Sequence, residues 1–241
     1  MTTALPPARL RLDRFLSHGS GLSRAQVKKL LHADAVIVDG AAVRDPGLLV
    51  TAANHITLEG ATVEWPRARY LMLHKPAGYV CANADPAHPS VTNLIGQPWA
   101  AGLHAAGRLD ADTTGLVLLT NEGAWSHTLT SPRRQCFKTY RVSAKHPLAA
   151  DLPARFAAGL QLNGEDSLTL PARLELLDSH TARLSISEGR YHQVKRMLAA
   201  CGNRVEALHR ESIGSIVLDS ALQPGQWREL TAAEIRMATN E

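Results

Sequence analysis

The feature that most constrains this chain lies near its midpoint, where Leu116-Val117-Leu118-Leu119 forms an unbroken apolar run. Bounded by Gly115 on one side and the turn Asn121-Glu122-Gly123 on the other, it predicts a buried strand. The residues leading into it, Gly107-Arg108-Leu109-Asp110-Ala111-Asp112-Thr113-Thr114, crowd two carboxylates, an arginine and two hydroxyls at the strand's mouth. Polar groups in such a place cost free energy unless they are paired or used. Asp110 and Asp112 can act as turn residues that bond nearby amides. A turn alone does not need an arginine two positions before Asp110, so the tract is read as a functional site.

With 241 residues the chain can form one large domain or two unequal ones. Apolar content of 45% and charged content of 20% are those of an ordinary globular protein. No apolar run reaches the length of a membrane span, and the first residues lack a signal peptide's apolar core. No membrane partner and a cytoplasmic location are therefore expected. Cys81, Cys136 and Cys201 are odd in number and far apart, which argues against a disulfide framework and a structural zinc site. The histidines show no His-Glu-x-x-His spacing, so no catalytic metal is expected.

The net charge of +4 is modest, but its distribution is not even. Six Lys or Arg residues face the single acid Asp13 between Arg9 and His32. Arg133, Arg134, Lys138, Arg141 and Lys145 fill an acid-free segment from Gly123 to Ala150, and Arg190, Lys195 and Arg196 make a third cluster. Separate basic patches point to a polyanionic partner.

Residues 1–8 read as a flexible tail. Leu12, Phe15 and Leu16 then repeat at helical spacing, and Ser23 with Gln26 forms a capping box for a second helix with Val27, Leu30 and Leu31 on its apolar face. Arg24 and Lys28, four apart, project from one side, with Lys29 adjacent. Asp39-Gly40 between Val36-Ile37-Val38 and Ala41-Ala42-Val43 signals a hairpin. This pattern resembles the S4 RNA-binding domain. The resemblance implies an RNA-binding domain over residues 9–64, with Arg24, Lys28 and Lys29 on RNA.

Trp65-Pro66-Arg67 reads as a linker into a second domain, residues 65–241. Strands are expected at Tyr70–Leu73, Lys138–Val142, 168–177, Thr181–Ser187, Val205–Leu208 and 213–218, and helices at 91–95, 123–127, 151–160 and after Glu188-Gly189. In that last helix Val194, Met197, Leu198 and Cys201 form the apolar stripe and Lys195 lies off it. Thr231 and Glu234 offer a capping box for a terminal helix. The fold class is α+β, with a mixed, largely antiparallel sheet flanked by helices.

Three chemistries compete for the central tract. Asp110-Ala111-Asp112-Thr113-Thr114 has the form of a phosphatase nucleophile loop, but Gly107-Arg108 intervenes and no adjacent acidic pair follows to hold magnesium. A non-catalytic S4-type RNA-binding protein explains the basic patches and leaves the tract idle. A carboxylate acting at an anomeric carbon needs no metal or cofactor, only a neighbouring cation to favour its charged form.

The third reading meets a resemblance. Gly107 to Gly115, Lys138-Thr139-Tyr140 and Glu188-Gly189-Arg190-Tyr191-His192-Gln193-Val194-Lys195-Arg196-Met197 are similar, in order, to three motifs of the RsuA branch of pseudouridine synthases. His74 to Cys81 and Leu208 to Gly214 are similar to its flanking segments. The resemblance implies isomerisation of uridine to pseudouridine in ribosomal RNA by a monomeric, cofactor-free enzyme. Asp110 would be the catalytic carboxylate, Lys195 the cation that keeps it ionised and oriented, and Tyr140 the aromatic that stacks on the base. Arg108 would occupy the space of the flipped nucleotide, Arg190, His192 and Gln193 would contact RNA, and Asp112, Thr113 and Thr114 would be scaffold. The Tyr-His-Gln-Val-Lys-Arg-Met form points to 16S rRNA, free or in an assembling small subunit, with uridine 516 as target; the large-subunit (23S) rRNA is the alternative.

Overall fold

The structure, a computed structural model, describes residues 9–65, 67–82, 85–131 and 135–239. The expected tail at 1–8 and the cations Arg133 and Arg134 lie outside the described residues. Contacts divide the chain into two units. One holds the described residues up to Arg69 together with Thr92–His104, and the other holds Tyr70–Val91 and the chain from Ala105 onward.

The first unit contains β1 (Leu10–Arg11), α1 (Leu12–Ser20), α2 (Arg24–His32), β2 (Val36–Val38), β3 (Ala41–Ala42), β4 (Leu49–Val50), β5 (Ile56–Leu58) and β6 (Ala61–Thr62). α2 starts at the expected capping box: Gln26 N–H donates to Ser23 Oγ at 3.3 Å and Ser23 N–H to Gln26 Oε1 at 2.9 Å. The β2–β3 turn places Asp39 and Gly40 at φ 51° and 87°, the left-handed pair that Asp-Gly adopts at low cost. Leu12, Phe15, Leu16, Val27, Leu31, Val36 and Ile56 close a core of their own, which leaves Arg24, Lys28 and Lys29 exposed on the outer face of α2. Residues 92–104 group here and not with the second domain, where the sequence put them, because the 3-10 turn Pro98–Gly102 packs on α1.

The second unit contains β7 (Tyr70–Lys75), β8 (His104–Ala105, where the chain returns to it), β9 (Thr114–Thr120), α3 (Gly123–Thr130), β10 (Lys138–Ala144), α4 (Leu152–Ala158), β11 (Arg173–Leu176) and β12 (Thr181–Ile186). It ends with α5 (Gln193–Ala200), β13 (Val205–Ile213), β14 (Ile216–Val217), β15 (Trp227–Glu229) and α6 (Ala232–Thr239). The main sheet runs β11-β12-β10-β13-β9-β7-β15. Along this path β9 with β13 is the parallel pair and the other pairs are antiparallel, the mixed sheet expected. β9 sits near the middle with Leu116 to Leu119 fully buried.

Two expected elements differ. The strand expected over 168–177 covers only β11. Leu168 and Leu170 stay exposed, and Pro171 has no N–H to give a ladder. The strands expected at 205–208 and 213–218 are one long strand, β13, that turns at Gly214 into β14. His209-Arg210-Glu211 falls between the two expected strands, and a charged residue rarely fills a buried strand. Arg210 does fill it, at 1% exposure, because backbone carbonyls receive its guanidinium.

Candidate active site

The strand mouth is held by two buried cations. Lys75, at the end of β7, is fully buried, and its ammonium donates to the carbonyls of Thr113 at 2.7 Å, Pro76 at 3.0 Å and Ala111 at 3.1 Å. Burial lowers its proton affinity, against the pull of Cys81, Asp112 and Asp110. From β13, Arg210 donates through Nε to Leu116 O at 2.8 Å, through Nη2 to Gly107 O at 2.9 Å and through Nη1 to Arg108 O at 3.3 Å. The same Nη1 lies 3.5 Å from the Tyr140 hydroxyl. Gly115, at φ 103°, permits the close approach of β9 and β13: a Cβ there would stand 2.3 Å from Arg210 O. The loop from Gly107 to Thr113 is thereby fixed from both sides through the carbonyls of Gly107, Arg108, Ala111 and Thr113. Sequence reasoning assigned no role to Lys75 or Arg210. Their only signal was a cation at the end of an apolar strand and a second cation inside another.

On this loop the Asp110 side chain is about a third exposed, with Oδ2 3.1 Å from Lys195 Nζ and Oδ1 3.5 Å from His192 Nε2. Lys195 reaches it because Val194, Met197 and Leu198 occupy the buried face of α5 and leave Lys195 off that stripe. The ammonium also donates to Asp112, at 2.7 Å to Oδ1 and 3.0 Å to Oδ2. Burial works against the charge on Lys195, but the hydrogen bonds to Asp112 and Asp110 raise its proton affinity overall. The hydrogen bond from Lys195 holds the Asp112 carboxyl below the usual range. Asp112, expected as scaffold, instead shares the cation of Asp110. Thr114 Oγ1 bonds His209 Nδ1 at 2.9 Å, whereas Thr113 Oγ1 is buried without a partner among the described residues.

Asp110, Tyr140 and Lys195 line one chamber of about 100 Å³. Beside it a groove of about 720 Å³ is lined by Asp110, Tyr140, Arg108, Lys138, Tyr191 and His192 among others. Tyr140 is nearly buried at the chamber wall and Arg108 is exposed at its edge. Burial lowers the proton affinity of Lys138, whose ammonium donates to Cys136 O at 3.1 Å.

Arg190 and Gln193, expected to contact RNA, both line the chamber, but their polar groups bond within the protein. Arg190 donates to Leu168 O at 2.7 Å, Ser167 O at 2.9 Å and Glu188 Oε2 at 3.2 Å. Gln193, 4% exposed, donates to Glu188 Oε1 at 2.7 Å and accepts from Arg190 N–H at 2.8 Å. Both brace the loop before α5. On the first unit, Arg24 and Lys28 line an open hollow with Arg11, Arg14 and Asp13, and Lys29 is exposed.

A carboxylate paired with an ammonium, open to a chamber with an aromatic wall, is equipped for chemistry at an anomeric carbon next to a planar base. Joined to an S4-like unit and a mixed sheet with a parallel centre, it defines the class of RNA pseudouridine synthases. The chain belongs to the RNA pseudouridylate synthase family, whose model matches residues 69–200, and residues 10–56 match the S4 domain. It is 52% identical over 227 residues to the ribosomal small subunit pseudouridine synthase A of Yersinia pestis, covering 94% of this chain and 97% of that one. Its identity to the protein of the same description from Escherichia coli (strain K12) is 49%, covering 94% and 98% of the two chains. A crystal structure of pseudouridylate synthase superposes with a TM-score of 0.70 at 45% identity, covering 95% of this chain and 99% of that one.

Proposed function

We propose that this protein converts uridine 516 of 16S rRNA to pseudouridine, with Asp110 as the catalytic carboxylate. The observation that carries the reading is the Asp110 carboxylate itself, 3.1 Å from the Lys195 ammonium and open to the chamber that Tyr140 also lines. In the reaction the C1′–N1 bond breaks, the uracil turns within the chamber, and a C1′–C5 bond forms. The proton on C5 is lost to solvent and N1 regains one, so the net change is an isomerisation that consumes nothing. Asp110 works at C1′, by direct attack or by assisting glycal formation. Lys195 keeps a positive charge against the carboxylate and orients it. Tyr140 stacks on the turning base, and Arg108 at the chamber edge fills the place of the extruded nucleotide. The S4-like unit docks RNA through Arg24, Lys28 and Lys29. The small-subunit target is supported by the relatives, each described as acting on that subunit.

Asp110→Asn keeps the shape and removes the charge. It is expected to abolish tritium release from 16S rRNA labelled at uracil C5, while RNA binding persists. Retained activity would overturn the role of Asp110. Mapping pseudouridines in 16S and 23S rRNA from cells lacking the protein checks the target, and a loss confined to 23S rRNA would replace it.

A further inference from the structure

Tyr191 lies beside the chamber and has no part in the reaction as derived above. It is 77% exposed, more than any other large hydrophobic side chain among the described residues. A single exposed aromatic is ordinary by itself; the way this one is held is not. Its ring stacks on His192 with centroids 3.8 Å apart and planes inclined by 21°. Nε2 of that imidazole lies 3.5 Å from Asp110 Oδ1. His192 has φ 49°, a left-handed conformation that a side chain adopts only where its surroundings impose it. Arg196 fixes the turn, donating to Tyr191 O at 3.2 Å, and Gln193 N–H closes it on Arg190 O at 3.2 Å. The outer face of the Tyr191 ring is thus a preformed plane one ring removed from the reacting carboxylate. It lines the same groove as the cations Arg108 and Lys138. A flat aromatic face beside cations suits a nucleobase on a phosphate backbone, and suits it without regard to sequence.

We propose that Tyr191, backed by His192, is a stacking platform for the base adjacent to the target uridine, a second base subsite outside the chamber. This rests on the rRNA pseudouridine synthase reading. Extruding one nucleotide costs its neighbours a stacking partner, and an aromatic plane at the chamber mouth replaces what the neighbour loses.

The test is a cycle between protein and RNA. 16S rRNA is assembled by ligation around a synthetic segment that holds the target uridine, either intact or with an abasic residue on its 5′ or its 3′ side. Wild-type protein, Tyr191→Ala and Tyr191→Phe are compared by kcat/KM for tritium release. On intact RNA, Tyr191→Ala is expected to lose about 5- to 160-fold, the range set by base–aromatic stacking, and Tyr191→Phe to lose little. On the RNA lacking the stacked neighbour, wild type and Tyr191→Ala should differ by less than about twofold, since the lost partners are the same contact. A full penalty for Tyr191→Ala on both abasic RNAs, or none on intact RNA, overturns the subsite and leaves the enzyme assignment standing. Wild-type protein that forms no pseudouridine in intact 16S or 23S rRNA overturns the assignment and the subsite together.

Discussion

Lys195 serves two carboxylates, and their surroundings decide which one matters to the chemistry. Asp112 makes the shorter contact, 2.7 Å, but its side chain is 72% exposed, and a pair so placed is screened by water. Asp110 lies at 3.1 Å in the chamber, at 32% exposure. Lys195→Met is therefore expected to lower the single-turnover rate about 100- to 1,000-fold, the usual loss when one preorganised charge is removed beside reacting atoms. Lys195→Arg should recover at least part of that, and Asp112→Asn should stay within about threefold of wild type. Equal damage from Asp112→Asn would make the outer carboxylate a working member of the site. At this scale periodicity puts Lys195 off the apolar stripe of α5, whereas its pairing with Asp110 at 3.1 Å was legible only through the family resemblance, not through spacing. The bonds that Arg190, expected on RNA, makes to Ser167 and Leu168 left no such trace, because those partners are more than twenty positions away.

Elements were legible wherever local chemistry fixes them. Both expected capping boxes form, and the second holds more than a helix end. Glu234 accepts from Thr231 N–H at 2.8 Å, and also receives Arg228 through Nη1 at 2.9 Å and Nη2 at 2.8 Å. The Arg228 guanidinium, with help from Thr231 and against burial, holds the Glu234 carboxyl at about 2, below its usual 4.5. The folded state therefore favours the ionised form. Its contribution is complete above about pH 4.5 and is lost as the pH falls toward 2. Glu234→Gln should lower stability by roughly 1 kcal/mol at neutral pH, once solvent screening is allowed for, and flatten the fall in Tm between pH 5 and 3 relative to wild type. Parallel curves for the two proteins would refute that linkage. β13 was not legible as one strand, since nothing local announces that Arg210 will be received by Gly107, Arg108 and Leu116 from the far side of the sheet. Long-range satisfaction of a buried cation leaves no periodic trace.

At the scale of the whole molecule, the sequence marked the S4-like segment through its capping box and hairpin, but not the return of residues 92–104 to it, which depends on packing against α1. That return decides how RNA docking can be tested. Cutting the chain after residue 64 would strip α1 from the 3-10 turn Pro98–Gly102, whose Ala100 is buried in the intact protein. A weakened truncated protein would then report misfolding as readily as lost contacts. Charge removal on the exposed face of α2 avoids this, since Arg24, Lys28 and Lys29 are all exposed and surface substitutions there cost little stability. If these three cations each neutralise a phosphate, every one lost lowers the slope of log K against log salt by about 0.7–0.9. The triple variant Arg24→Gln, Lys28→Gln, Lys29→Gln should therefore show a slope shallower by about 2 to 3 in filter binding to 16S rRNA. Its rate at saturating RNA should stay near wild type, because these side chains are assigned to docking and not to the bond exchange at C1′. An unchanged slope would move docking to the other basic clusters, while a lowered saturating rate would make the S4-like unit a participant in the chemical step.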